Sequence, residues 1–299
     1  MQTESANPEY SDLERAGEAR MLRVLLEGQQ TAYAAVARAL PDLEKVLAAM
    51  IARLRGSQGR IFYVGAGTSG RLAVLDGLEL NTTFGWPPER LVLLLAGGDS
   101  LTLSNENAED DTDSARLAIE RAACGPDDVV LALAASGTTP YTLSAVRTAR
   151  ARHALVIAFA NNADTPLLSA ATHGVLLDTG PEVLAGSTRL AAGTSQKIVL
   201  NMLSTALMMR LGKVFRGQMV DMQASNAKLR RRAVAMLTGI TGAGEAEAVN
   251  ALEKTGYRVK PAILVVGGME AEAAGAALAR HGGDLHAVLN NRNTEPGDG

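Results

Sequence analysis

The residues best suited to chemistry lie in loops of glycine and hydroxyl side chains. The apolar run Ile61 to Val64 ends in Gly65-Ala66-Gly67-Thr68-Ser69-Gly70, and a helical pattern starts near Arg71. Such a turn offers unpaired backbone N–H groups, the positive end of a helix dipole and hydroxyl donors, which together can hold a phosphate. A second loop, Ala134-Ala135-Ser136-Gly137-Thr138-Thr139-Pro140, also follows an apolar run and precedes a helical pattern. In an open parallel sheet both loops face one crevice at the carboxyl ends of the strands. Gly67, Thr68, Ser69, Ser136, Gly137, Thr138 and Thr139 are therefore candidate anion ligands. A third candidate is Gly186-Ser187-Thr188-Arg189, where Ser187 either caps the following helix or meets a ligand and Arg189 can pair with an anion. The glycine spacing of the first loop matches a dinucleotide site, but the second strand ends in Leu95-Ala96-Gly97-Gly98, with no acidic residue, so that assignment fails. For either loop alone, a tight turn that binds nothing is the plain alternative.

Carboxylates come next. Glu79 lies nine residues after Gly70, near the far end of the first helix or in the turn leaving it, and Asp76 precedes it by one helical step. Glu109 stands in the polar stretch Ser104-Asn105-Glu106-Asn107-Ala108-Glu109-Asp110-Asp111, a loop leading to a helix around Ala115 to Ala123. By spacing alone, these acids read as solvated helix-terminal residues. His153, His173, His281 and His286 are scattered without ligand spacing, so no metal site is indicated.

The elements that must position these groups follow from periodicity. From Asp12 to Leu54 apolar residues recur at helical spacing, with Pro41 suited to open the second of two helices. Short apolar runs at Ile61 to Val64, Leu91 to Leu95, Val129 to Ala134, Leu155 to Phe159 and Val175 to Leu177 alternate with helical patterns. They predict an α/β fold with a parallel sheet covered on both faces. A long apolar helix follows from about Thr188 to Leu211, suited to packing on the sheet or on a partner subunit. Beyond Asn226 a basic start and Ala- and Glu-rich text predict a small helical domain, in which Ala262 to Val266 fits either a strand or a buried helix.

With 299 residues and a net charge of -3, the chain can bury a sizeable core and lacks the basic footprint of a nucleic-acid binder. Cys124 is the only cysteine, so no internal disulfide forms. The opening Thr3, Glu4, Ser5, Asn7 and Glu9 lacks the order of a secretory signal, and no apolar run reaches membrane-spanning length. A cytoplasmic protein is expected.

Gly65 to Leu72, with Leu75-Asp76 and Glu79, resembles the first motif of the N-acetylmuramic acid 6-phosphate etherases. Further agreement comes from Ala134 to Tyr141, from Gly180-Pro181-Glu182-Val183, from Gly186 to Arg189, from Gly193 to Lys197 and from Asn201 to Thr205. Gly212 to Phe215, Met219 to Asp221, Asn226 to Leu229, the opening Thr3-Glu4 and the tail ending His281-Gly282-Gly283 also match, so the similarity spans nearly the whole chain. The resemblance implies a sugar isomerase (SIS) fold: helices over 1–54, a phosphosugar-binding domain over 55–225 and a small helical, UBA-like domain over 226–299. It also implies a homodimer with its site shared between subunits. The reaction implied is removal of the lactyl ether from N-acetylmuramic acid 6-phosphate by elimination and hydration, with a phosphorylated amino sugar as ligand and no cofactor. Glu79 matches the family's proton donor and Glu109 its second catalytic glutamate.

This chain departs from the pattern in three places. Leu80 to Phe84 lacks the family's usual prolines, Thr138 stands where an Arg is usual, and Ala191 stands where a Lys is usual. Loss of two cations weakens the recognition of anions and leaves the substrate open. Arg71, Arg189 and Lys197 are the available replacements. Two rival functions are a non-catalytic sugar-phosphate regulator, as in the glucokinase regulatory protein that shares the third motif, and an isomerase or lyase acting on another phosphosugar. Retention of both glutamates favours catalysis.

Overall fold

A computed structural model describes residues 1–98 and 106–294. Among them, β1 (Ile61–Gly65), β2 (Leu91–Leu95), β3 (Val129–Leu133), β4 (Leu155–Ala160) and β5 (His173–Leu176) form one parallel sheet in the order β2-β1-β3-β4-β5. Continuous Val, Leu and Ile runs suit strands covered on both faces, and β1, β3 and β4 are buried at every position. The expected α/β layout holds, with the last strand starting at His173 rather than Val175.

The helices before the tail are α1 (Glu18–Gly28), α2 (Gln30–Leu54), α3 (Gly67–Phe84), α4 (Thr112–Arg121), α5 (Pro140–Ala151), α6 (Pro166–Ala170) and α7 (Ala191–Arg210). Pro41 does not open a helix but lies inside α2. The break falls earlier, at Gln29, beside Gly28, where a Cβ would lie 2.4 Å from Val183 Cγ2. Proline forfeits one helical hydrogen bond. The buried stripe Val36, Ala39, Leu43, Val46 and Met50 runs past it on both sides and carries the helix through.

The chain divides into two compact units, Met1–Gly77 with Glu89–Ser204 and Leu78–Pro88 with Thr205–Gly299. In the first, a core of Phe62, Val64, Ile119, Val130, Val146 and Val156 fills the space between the sheet and its helices. The second holds α8 (Ala227–Thr241), α9 (Glu245–Lys254), α10 (Val259–Val266), α11 (Ala271–Arg280) and α12 (Leu285–Thr294) around Phe215, Leu237, Leu252, Val259 and Leu264. The ambiguous run Ala262 to Val266 is thus helical. Asp221 accepts from Lys260 at 2.6 Å and pairs with Lys213 at 3.0 Å inside this unit. No single helix among the described residues is long and apolar enough to cross a membrane.

Two local devices seat the sheet. At its amino edge, the buried Asp128 accepts from the Arg60 backbone N–H at 2.8 Å, from Arg60 Nη2 at 2.7 Å and from the Gly125 N–H at 2.9 Å, tying β1 to β3. Burial alone would raise the Asp128 pKa, but the Arg60 guanidinium and these amides outweigh it and hold the carboxyl below its usual value. At the carboxyl edge, Gly65 and Gly70 pack backbone to backbone. A Cβ on Gly65 would lie 2.7 Å from Gly70 Cα, and one on Gly70 would lie 2.6 Å from the Gly65 carbonyl.

Expectations for stability follow from these contacts. Asp128→Ala removes the carboxylate partner of the half-buried Arg60, whose guanidinium keeps its bonds to the Ala122 and Ala123 carbonyls, and should cost about 1–3 kcal/mol in denaturant titrations at neutral pH. Because the folded pKa is depressed, this contribution is complete above the unfolded carboxylate value of about 3.9 and disappears as pH falls through the lower folded value. The stability gap between wild type and Asp128→Asn should therefore narrow only below about pH 4. Gly70→Ala should destabilise by about 1–3 kcal/mol through overpacking. Gly239→Ala, inside α8 with nothing within 4 Å of the added Cβ, should instead stabilise by about 0.5–1 kcal/mol.

Candidate active site

The strand order sets where a ligand can enter. From β1 the chain moves to β2 on one side, then returns across β1 to β3 on the other, so the connections diverge between β1 and β3. In open α/β sheets the crevice at such a switch point receives ligands. Gly65 pairs in register with Leu133, so the two strands end level and the loops after them start side by side, about 4.8 Å apart.

The first candidate loop is shorter than expected. Helix α3 starts at Gly67, not near Arg71, which places Thr68 and Ser69 in its first turn. Gly67 has φ +51°, the left-handed entry that admits this abrupt turn, and the Gly70 N–H donates to the Ala66 carbonyl at 2.9 Å. The helix amides thus open directly at the carboxyl edge of the sheet. A Cβ on Gly67 would lie 2.8 Å from Glu109 Oε1, so the Glu109 carboxylate rests on this turn. Glu109 belongs to a 3₁₀ turn, Glu106–Asp110, rather than an open loop. Asp111 then caps α4 by accepting from the Ser114 N–H at 2.9 Å. Of the polar stretch, Ser104 and Asn105 lie outside the described residues.

The second loop matches expectation in position. Ser136 Oγ accepts from the Thr138 N–H at 3.2 Å and lies 3.4 Å from Thr139 Oγ1, while Thr139 precedes Pro140 at the start of α5. Gly137 has φ +69°, and a Cβ there would lie 2.3 Å from Thr165 Oγ1, so no other residue fits. Thr138 is exposed and Ser136 is half-buried.

The third loop differs from expectation. Ser187 does not cap the long helix, because α7 starts only at Ala191. Glu182 does: its Oε2 accepts from the Ala191 N–H and its Oε1 from the Ala192 N–H, each at 2.9 Å. Glu182 is 1% exposed, and burial raises its pKa against the pull of those two amides. The helix end that could have drawn a phosphate is already satisfied by a carboxylate from within the chain. Arg189 is exposed in the preceding turn. A Cβ on Gly193 would lie 3.5 Å from Thr68 Cγ2, so the first turns of α7 and α3 touch.

Behind this surface lies a buried polar pin. Asp76 accepts from Tyr63 Oη at 2.9 Å, Asn201 Nδ2 at 2.8 Å and Ser204 Oγ at 3.3 Å, joining β1, α3 and α7. Burial raises the Asp76 pKa, and the nearby Lys197 charge pulls it down together with those hydrogen bonds. Glu79 stands on the same helix as Asp76, exposed, inside α3 and not in the turn after it.

Sequence reasoning passed over Asn161 and Asn162 at the end of β4. The Asn161 N–H donates to the Ala135 carbonyl at 2.9 Å, and Asn161 Nδ2 donates to the Leu177 carbonyl at 2.8 Å and Ser195 Oγ at 2.9 Å. Asn162 Nδ2 donates to Ala135 at 2.9 Å. Two amides directly after six apolar residues were the available signal. Among the described residues no group of three or more His, Cys, Asp or Glu is placed to hold a metal ion.

Comparison with known proteins bears on this geometry. The model of the glucokinase regulatory protein N-terminal SIS domain matches residues 42–150, and the SIS domain model matches residues 112–206. An N-acetylmuramic acid 6-phosphate etherase of Deinococcus radiodurans is 47% identical over 96% of this chain and 94% of its own. Etherases of Rubrobacter xylanophilus and Streptomyces coelicolor are 44% and 43% identical, over 88% and 96% of this chain and 88% and 93% of theirs. With identity at that level running through nearly its whole length, and with a five-stranded SIS sheet, the chain belongs to the N-acetylmuramic acid 6-phosphate etherase family.

Proposed function

We propose that this protein is a carbon–oxygen lyase that cleaves the lactyl ether of N-acetylmuramic acid 6-phosphate, giving N-acetylglucosamine 6-phosphate and D-lactate. The observation that carries this reading is the Glu109 carboxylate resting on Gly67, at the head of a helix whose amides open between two hydroxyl-rich loops. A phosphate held by the first-turn amides of α3, with Thr68, Ser69, Ser136, Gly137, Thr138 and Thr139, leaves the rest of an open-chain sugar free to reach a carboxylate. Ser187 and Arg189 are assigned to the edge of that site, where Arg189 offers a cation to the lactyl carboxylate.

In the open-chain sugar the C1 aldehyde acidifies the hydrogen on C2. Glu109 removes that proton, the electron pair forms the C2–C3 double bond, and the C3–O bond to lactate breaks as Glu79 gives a proton to the departing oxygen. Water then adds back across the double bond. The chemistry needs one carboxylate and one carboxylic acid, and general acid–base groups of this kind contribute about 100-fold to 10,000-fold each.

We further assign the protein a cytoplasmic homodimer with a shared site. Nine residues at a rise of 1.5 Å put Glu79 about 14 Å beyond Gly70 along α3. Leu75 and Met202, 46% and 40% exposed, are the chain neighbours of the hydrogen-bonded Asp76 and Asn201, and each offers apolar surface to a second copy. Glu79 of one subunit then serves the phosphate site of the other.

Three outcomes test this reading. The wild-type protein should release lactate from N-acetylmuramic acid 6-phosphate; the absence of release would contradict it. Glu109→Gln should abolish both lactate release and exchange of the C2 hydrogen in deuterated solvent, whereas Glu79→Gln should stop cleavage and retain some exchange. The opposite pattern exchanges the two roles, and full activity in both variants refutes the mechanism. Leu75→Glu with Met202→Glu should yield a monomer in sedimentation with lactate release reduced at least about 100-fold; an active monomer would contradict the shared site.

A further inference from the structure

Thr3 is fully buried at 0% exposure between exposed neighbours, Gln2 and Glu4. Every polar group it carries has a partner. Its N–H donates to Asn162 Oδ1 at 3.3 Å, its hydroxyl accepts from Asn162 Nδ2 at 2.9 Å, and its carbonyl accepts from the Gly186 N–H at 3.0 Å. The Asn162 amide that binds Thr3 also donates to the Ala135 carbonyl, one residue before Ser136. Gly186 opens the turn that carries Ser187 and Arg189. The contact is close, because Gly186 has φ +74° and a Cβ there would lie 2.8 Å from Glu4 Oε2. One residue from the start of the chain therefore closes a hydrogen-bonded bridge between the second and third ligand loops.

We infer that Thr3 is a positioning residue for the phosphosugar site, acting through Asn162 and Gly186 to hold the Ser136 loop and the Arg189 turn in their binding arrangement before ligand arrives. This rests on the reading of those loops given under Proposed function. The energetic logic is preorganisation: loops fixed in advance lose less conformational freedom on binding, so the bridge acts on affinity and not on the proton transfers. A buried Thr of purely structural use would affect global stability and leave affinity alone. Serine keeps all three hydrogen bonds; valine keeps the shape and the backbone bonds but leaves the Asn162 amide without its hydroxyl acceptor.

The test is steady-state lactate release by the full chain with Thr3→Val and Thr3→Ser, together with calorimetric titration of each with inorganic phosphate. Thr3→Val should raise KM about 10-fold, equivalent to about 1.4 kcal/mol, with kcat within about twofold, and should weaken phosphate binding by a similar factor. Thr3→Ser should restore both. Unchanged KM and phosphate affinity in Thr3→Val, even with a lowered Tm, would overturn the inference. Asn162→Asp, which loses both amide donors, should reproduce the affinity loss, and decides the matter if Thr3→Val does not fold. If the wild type releases no lactate, the proposed reaction falls, while the phosphate titrations still decide the role of Thr3.

Discussion

The approach of α3 to the end of β1 is the constraint from which the rest of the site follows. Gly65 and Gly70 meet backbone to backbone, with less than 3 Å between either glycine's missing Cβ and the other's main chain. That contact allows a helix to begin two residues after the strand ends, so its unpaired amides emerge at the carboxyl edge of the sheet. Once α3 is seated there, Gly67 makes its left-handed turn against the Glu109 carboxylate, and Thr68 meets α7 at Gly193. Further along the helix, Asp76 reaches Tyr63, Asn201 and Ser204 and fixes its rotation.

Electrostatics then separate two helix ends that look alike. Both α3 and α7 begin near the same surface, and each presents the positive end of a dipole. Glu182 occupies the start of α7 with both carboxylate oxygens, so that pole is balanced internally. The family likeness places a lysine where Ala191 stands, yet here the Ala191 side chain is buried and its amide holds Glu182. The missing cation is thus lost at a helix start already matched by a carboxylate. Thr138, by contrast, is exposed on the second loop, and under the proposed phosphate site a missing arginine there removes charge facing the ligand.

Much of the fold is legible because buried parallel strands carry unbroken apolar runs, and four of the five runs coincide with the strands to within a residue or so at each end. The glycine loops were legible as turns, since only glycine fits their positive φ and close contacts. What escaped depends on residues distant in sequence. Pro41 misled because proline favours a first turn, whereas packing on both sides of it kept α2 continuous. Ser187 misled because it has the right side chain for a cap, but Glu182 reaches the helix start from nine residues away. Asn161 and Asn162 gave only a compositional hint, since their partners at Thr3, Ala135, Leu177 and Ser195 lie on separate segments. The two glutamates came from family likeness; no spacing rule could have selected them, because Glu109 meets Gly67 only through the fold.

The sheet's switch point, and not the start of α7, is the proposed seat of the sugar's phosphate. The most direct measurement is a crystal structure with N-acetylglucosamine 6-phosphate bound. The account predicts phosphate oxygens within hydrogen-bond distance of the Thr68 and Ser69 amides and of hydroxyls from Ser136 to Thr139, with Glu182 still capping α7. A phosphate bound at Ala191 and Ala192 with Glu182 displaced, or seated away from both loops, would contradict it.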